Sequence, residues 1–245
     1  MINQLRSEIR KLRSTPTMWW LLLGMIVLTI VATIGSFALQ EAGHLDRLSD
    51  SAIRQDLHAV GTGSFFVAVA GMIGMGGEFR NGQADQTFIS SPRRDRVIWA
   101  KTLVYGALGV AWGAIACAVT ATTMAVWFAM KGQSLDVTTS NFQLTILGAI
   151  LSALGFGVLG VAAGAVAKNQ VGAIVVTLAW LMIVESIIFQ ASTTVGRWFP
   201  GEAAEALRRI PADGLLTMSA GGITLGAWLV GLLTLGTLRL TRSDI

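Results

Sequence analysis

The chain has 245 residues, of which 53% are hydrophobic and only 13% are charged. A soluble domain carries about 25% charged residues, so this composition excludes an ordinary soluble protein and indicates a polytopic helical membrane protein. The formal net charge of +4 is therefore attributed to membrane topology and lipid headgroups, and no nucleic-acid partner is expected.

The N-terminal segment, residues 1–17, predicts a short amphipathic helix. Its apolar residues recur at spacings of three and four, and basic residues occupy the other faces. A helix of this kind lies in the membrane interface with its long side chains reaching the headgroups. The residues expected to hold it there are Leu5, Arg6, Ile9 and Arg10.

Six apolar runs follow, each long enough to cross a bilayer as a helix. They cover residues 18–39, 60–77, 99–130, 142–166, 171–190 and 220–238. If the N-terminus lies inside, Lys and Arg residues concentrate in the inner segments, which predicts that both termini are cytoplasmic. The whole chain, 1–245, is predicted to form one all-α membrane domain.

Residues 78–98 predict a cytoplasmic loop of specific character. The residues from Phe65 to Gly77 carry no charge, and neither do those from Thr102 to Met130, whereas the loop between them is polar and basic. Such a loop is a natural contact for a soluble partner. Its Arg93, Arg94 and Arg96 also fit a pure topology signal.

Glycines four residues apart recur in the spans, at Gly109 and Gly113, Gly160 and Gly164, and Gly222 and Gly226. This spacing allows helices to approach closely in lipid. Packing within the chain and packing between subunits both explain it.

Glu185 is the one carboxylate predicted deep inside a span, because residues 173–184 and 186–196 are uncharged. A buried ionisable group at that depth indicates either a functional polar site or a carboxylate at a helix end. The following segment, 191–219, has acids early and arginines late after Pro200, which predicts a short outer helix or a re-entrant pair.

Sequence motifs for catalysis are missing. The chain has no phosphate-binding G-x-x-x-x-G-K-[ST] loop, no H-E-x-x-H and no G-x-S-x-G. Cys117 is the only cysteine, and His44 and His58 have no third ligand at a useful spacing. We therefore expect no enzymatic activity, no metal site and no cofactor bound by this chain.

The chain resembles the ABC-2 type permeases, the membrane subunits of bacterial ATP-binding-cassette exporters, and among them the small antibiotic- and peptide-resistance permeases. The resemblance rests on six spans, on the basic start and on a signature in the loop. The signature residues are Glu78, Phe79, Arg80, Gly82, Thr87, Phe88, Pro92, Arg94, Val97, Ala100 and Lys101.

This resemblance implies a multi-pass protein of the bacterial cell membrane that exports a drug, peptide antibiotic or lipid. Its partners would be ABC ATPase subunits, which bind ATP and Mg²⁺, a second permease copy or paralogue, and membrane lipids. ATPase coupling would fall to Glu78, Phe79, Arg80, Gly82, Thr87, Pro92 and Arg94. An ion-coupled secondary transporter and a non-transport scaffold or sensor subunit remain alternatives.

Overall fold

A computed structural model describes residues 2–43, 57–80, 94–133 and 137–241. In these ranges the chain is helical and contains no strand. The helices are α1 (Ile2–Ser14), α2 (Pro16–Gly43), α3 (Val60–Arg80), α4 (Arg94–Met130), α5 (Ser140–Ala167), α6 (Gln170–Ala191), α7 (Thr193–Gly196), α8 (Pro200–Leu207) and α9 (Met218–Thr241).

The prediction of six membrane-spanning helices is confirmed at the level of length and composition. In the described part of the chain six helices are long and apolar enough to cross a membrane. Their ranges are Pro16–Ala38, Val60–Phe79, Val97–Met130, Ser140–Ala167, Gln170–Ala191 and Met218–Leu240. Long uncharged runs define these spans. The spans are helical because each backbone polar group in lipid must be hydrogen-bonded inside its own helix.

The centre of the bundle is the contact between α3 and α5. The two helices run in the same direction, since Gly71 lies against Gly157 and Met75 lies against Gly164 further along. A methyl group added at Gly71 would lie 2.7 Å from the Gly157 carbonyl oxygen. The missing side chain therefore permits backbone contact, which is how helices associate where lipid offers no hydrophobic drive.

The glycine pairs noted in the sequence do not all serve packing within the chain. Gly109 and Gly113 of α4 pack on Ala153 of α5, and Gly160 packs on the backbone of α3. These pairs serve packing inside the chain. A methyl group added at Gly226 of α9 would have no described atom within 4 Å, so that face of α9 is open.

The segment 191–219 contains two short helices, α7 and α8, followed by a non-helical stretch over residues 208–217, and it packs into the bundle. Leu207 of α8 contacts Gly148 of α5, and a methyl group at Gly221 of α9 would lie 2.6 Å from the Ala203 carbonyl oxygen. Ala203, Ala204, Ala206 and Leu207 are all buried. α8 is therefore a structural part of the bundle, wedged between α5 and α9.

We expect Gly160→Leu to destabilise the protein, because its new side chain meets the α3 backbone at Ala68. Overpacking of this kind costs about 1–3 kcal/mol. The matched control is Gly226→Leu, where open space predicts a change within about 0.5 kcal/mol. Unfolding of both variants in mixed micelles measures the difference. Equal stability of the two variants would contradict the packing described for α3 and α5.

Candidate functional site

The predicted coupling residues fall around a segment that the structure does not describe. Gly82, Thr87 and Pro92 lie outside the described residues. Arg80 is the last residue of α3 and Arg94 the first of α4, so the two helices border residues 81–93 directly. Phe79 is partly buried against the main apolar core. The coupling role of all these residues stays a prediction.

Glu78 lies in a buried ring of four alternating charges, which we call the charge ring: Glu8, Lys11, Glu78 and Lys101. The Lys101 ammonium donates to Glu8 Oε2 at 2.8 Å and lies 2.9 Å from Glu78 Oε1. The Lys11 ammonium lies 3.0 Å from Glu8 Oε1 and 3.0 Å from Glu78 Oε1. The ring therefore ties α1 to the end of α3 and to the first turns of α4.

The charge ring is neutral and largely shielded from solvent. The Lys101 side chain is 1% exposed and also donates to the Gly74 carbonyl oxygen at 2.9 Å. The Lys11 side chain is 44% exposed and forms the open side of the ring. Burying an ion is costly unless opposite charges and hydrogen bonds compensate it, and here two carboxylates surround each ammonium.

The ring also alters proton binding on α1. Burial opposes ionisation of Glu8, but the ammonium groups of Lys101 and Lys11 hold its pKa below the ordinary value of 4.5. Burial likewise opposes the charge on Lys11, but Glu78 and Glu8 raise its pKa above the ordinary value of 10.5. Both groups are therefore charged at neutral pH, and the ring is a set of ion pairs.

Sequence reasoning assigned no site role to Glu8 or Lys101, although two signals were present. Glu8 is the only acid in α1, and an acid in a basic helix needs a nearby cation. Lys101 follows Val97 and precedes Val104 and Tyr105, all buried residues of one face of α4. A lysine that recurs with buried apolar residues at spacings of three and four lies on the buried face of its helix, which predicts a buried acidic partner.

The residues predicted to hold α1 at the membrane lie away from this ring. Arg6, Ile9 and Arg10 are exposed, and Leu5 is partly exposed. The most buried described side chain of α1 is Glu8, at 6% exposure. Residues Ile2–Ser14 form a helix, while its amphipathic character and its position in the membrane interface stay predictions.

Glu185 has a clear structural role. Its Oε2 accepts a hydrogen bond from the Gly201 backbone amide at 2.7 Å, in the first turn of α8. A carboxylate at this position satisfies a free amide and complements the helix dipole. A π-helical turn, Trp180–Val184, comes directly before Glu185 in α6. Glu185 thus lies within α6 rather than at its end, and its carboxylate caps the start of a different helix, α8.

An apolar cleft of about 410 Å³ lies between α5, α6 and α9. Trp180 and Trp228 approach Phe199 at its α8 end, with ring centroids 5.6 and 6.2 Å apart. Asn169 and Thr177 are its polar side chains. Its size and apolar walls fit a hydrophobic ligand or the apolar part of an amphiphile. The main wall residues are Leu159, Ala163, Val176, Trp180, Pro200 and Trp228.

A second charge cluster lies at the opposite end of the bundle from the ring. Arg208, 4% exposed, donates to Ser152 Oγ at 3.2 Å and lies 3.7 Å from Glu205 Oε1. Glu205 Oε1 is also 3.0 Å from His58 Nε2. The guanidinium packs over Gly61 of α3, where a methyl group would lie 2.9 Å from it. Arg208 therefore joins α8 to α3 and α5.

No protein-family model matches the chain, and no curated protein sequence matches it. Among the described residues, no group of three or more His, Cys, Asp and Glu side chains is placed to hold a metal ion. The arrangement supports structural coupling between helix ends and binding of an apolar ligand.

We expect Lys101→Met to destabilise the protein by about 3–5 kcal/mol, because it leaves two buried carboxylates short of a cation. Lys11→Met is the comparison variant. Its ammonium is 44% exposed, so water can partly replace it beside the same two carboxylates, and we expect a smaller cost than for Lys101→Met. The double variant Glu8→Gln/Lys101→Met should recover part of the loss. Unfolding in mixed micelles tests this, and equal effects of the two lysine substitutions would contradict the burial described for Lys101.

The effect of Glu202 on the stability of the protein should depend on pH. Burial and the neighbouring Glu205 carboxylate raise its pKa to about 7, against the opposing effect of Arg208. Glu202 is protonated in both folded and unfolded chains below about pH 4.5 and ionised in both above about pH 7. Its ionisation therefore lowers stability progressively as pH rises between these values.

Glu202→Gln should accordingly become more stable than the unsubstituted protein as pH rises from about 4.5 to about 7, with the difference constant above that range. Thermal unfolding in detergent across this pH range measures it. Asp213→Asn, which removes an exposed acid, is the control. A stability difference that does not change with pH would refute the assignment to Glu202.

Proposed function

We propose that this chain is the membrane permease subunit of an ATP-driven exporter of the ABC-2 type, with ATP hydrolysed by a separate subunit. The observation that carries the proposal is the charge ring, which joins α1 to the two helices that border residues 81–93. The signature through which the sequence resembles ABC-2 permeases runs from Glu78 to Lys101, so it covers residues 81–93 and the helix ends on both sides of them.

The ring supplies a physical route for coupling. A partner that pulls on residues 81–93 displaces the end of α3 and the start of α4. Glu78 and Lys101 lie within about two turns of those helix ends and are ion-paired to each other. Because the pairs are buried, separating them is costly, so the three helix ends move as a unit. A loop attached to independent helices would not transmit force in this way.

The basic residues support a cytoplasmic position for the end that carries the ring. α1, the loop and the C-terminal tail hold most of the lysines and arginines, as expected for segments on the inner side. In this orientation the ring faces an intracellular ATPase. The chain would be a multi-pass protein of the bacterial cell membrane.

The cleft between α5, α6 and α9 supports a hydrophobic or amphiphilic cargo. Its walls are almost entirely apolar, and apart from Asn169 and Pro200 they come from the spans α5, α6 and α9. Glu185 is engaged with the Gly201 amide, which gives the one deep acid of α6 a structural role. This favours ATP-driven transport over ion-coupled secondary transport, which relies on ionisable groups at membrane depth.

The proposal is tested with the purified chain and an ABC ATPase, which the proposal expects to be encoded next to its gene. The chain alone should not hydrolyse ATP, because it lacks a phosphate-binding loop. With the ATPase, hydrophobic substrates should stimulate hydrolysis. The charge-balanced variant Glu8→Gln/Lys101→Met should assemble with the ATPase but lose most of this stimulation.

Lys131→Met, which removes a lysine at the other end of the bundle, is the control and should keep the stimulation. Hydrolysis by the isolated chain would overturn the assignment to a permease. Full stimulation in the double variant would show that the ring does not couple the two subunits. An assembly that never responds to any substrate would favour a scaffold or sensor subunit.

A further inference from the structure

A narrow apolar niche of about 200 Å³ lies where α1, α2 and α4 meet. It is separate from the cleft between α5, α6 and α9, and the charge ring engages a different side of α1. Its walls come from one or two turns of each helix. The main wall residues are Ile9, Leu12, Met18, Leu22, Leu108 and Trp112.

The niche has a cationic border. Arg13 is the one charged residue among the described residues that line it. Arg6, Arg10 and Arg13 are spaced by four and three residues, so they share a face of α1, and all three are exposed. No described side chain forms an ion pair with them, whereas Lys11 of the same helix is paired inside the charge ring. Within the described part of the chain, the border therefore carries uncompensated positive charge.

The position of the niche indicates where its ligand comes from. Trp19, which also lines it, is 61% exposed and donates through its indole to the Arg13 carbonyl oxygen at 3.3 Å. Exposed tryptophans at the start of a span are typical of the membrane–water boundary. The apolar niche thus begins at headgroup depth and continues along the spans, as a phospholipid does.

We propose that this niche binds one anionic phospholipid, with part of an acyl chain against Leu22 and Trp112 and the phosphate on Arg13 and Arg10. Guanidinium groups bind phosphate through paired, charge-assisted hydrogen bonds. A zwitterionic lipid offers the same phosphate but brings a cation towards three arginines. An anionic headgroup is therefore the better match. The bound lipid fills the space between α1 and the two spans and holds α1 in place.

The test uses the full chain in neutral detergent, titrated with phosphatidylglycerol or phosphatidylcholine of identical acyl chains. Native mass spectrometry measures bound lipid, and thermal unfolding measures the stabilisation that binding produces. Phosphatidylglycerol should bind more tightly, and its advantage should shrink as salt is raised. Inorganic phosphate alone should produce no stabilisation, since it cannot occupy the apolar niche.

Two pairs of variants locate the site. Arg13→Gln should weaken phosphatidylglycerol binding by about tenfold, as expected for loss of a hydrogen bond to a charged group. Arg197→Gln, at the opposite end of the bundle, should not. Leu22→Trp should fill the niche and block binding of both lipids. Leu23→Trp, at the neighbouring residue that is 50% exposed, should leave binding unchanged.

Equal binding of the two lipids with no effect of Arg13→Gln would overturn the proposal, as would full stabilisation by inorganic phosphate. Because Arg13 is exposed, its substitution tests the site even if Leu22→Trp fails to fold. ATPase stimulation does not enter these measurements. The lipid site and the permease assignment can therefore fail independently.

Discussion

The fold at one end of the bundle depends on the burial of Lys101. An ammonium that is 1% exposed cannot remain charged in an apolar bundle without acceptors on several sides. Its acceptors come from three places, Glu8 of α1, Glu78 of α3 and the Gly74 carbonyl oxygen. The position of α1 follows from this requirement, since its closest described polar contacts to the spans are the ring contacts. Apolar packing alone would leave α1 free to slide along the bundle surface.

The contact between α3 and α5 transmits that constraint along the bundle. Small residues allow the two backbones to touch at Gly71 and Gly160, which leaves little room for one helix to turn against the other. α6 differs, because a π-helical turn interrupts it and its described outer face is largely exposed. The cleft lies along this less tightly packed side. The bundle thus combines a rigid core of α3, α4 and α5 with a looser wall of α6 and α9.

Sequence alone predicted the elements better than their contacts. The six spans follow from uncharged runs, and α8 follows from Pro200 with acids early in the helix, because both signals are local. Glu185 was recognised as a deep acid. Its partner, Gly201, lies 16 residues further along the chain, beyond α7, so no pattern in the sequence of α6 identifies it. Glu8 and Lys101 are separated by ninety-three positions, so only the folded bundle brings them together. Gly82, Thr87 and Pro92 lie outside the described residues, and their part in coupling rests on the resemblance.

α3 connects the two charge clusters. Glu78 lies in the ring near one end of α3, and Gly61 contacts Arg208 near the other, about 25 Å away along the helix axis. Arg208 in turn holds α8, whose first turn binds Glu185 of α6. A displacement of the α3–α5 core at the ring would therefore shift the surface beneath Arg208, and with it the helix that closes one end of the cleft. α3 therefore has a buried ionic contact at one end and close packing under the Arg208 guanidinium at the other, so it links the charge ring to the helix that borders the cleft.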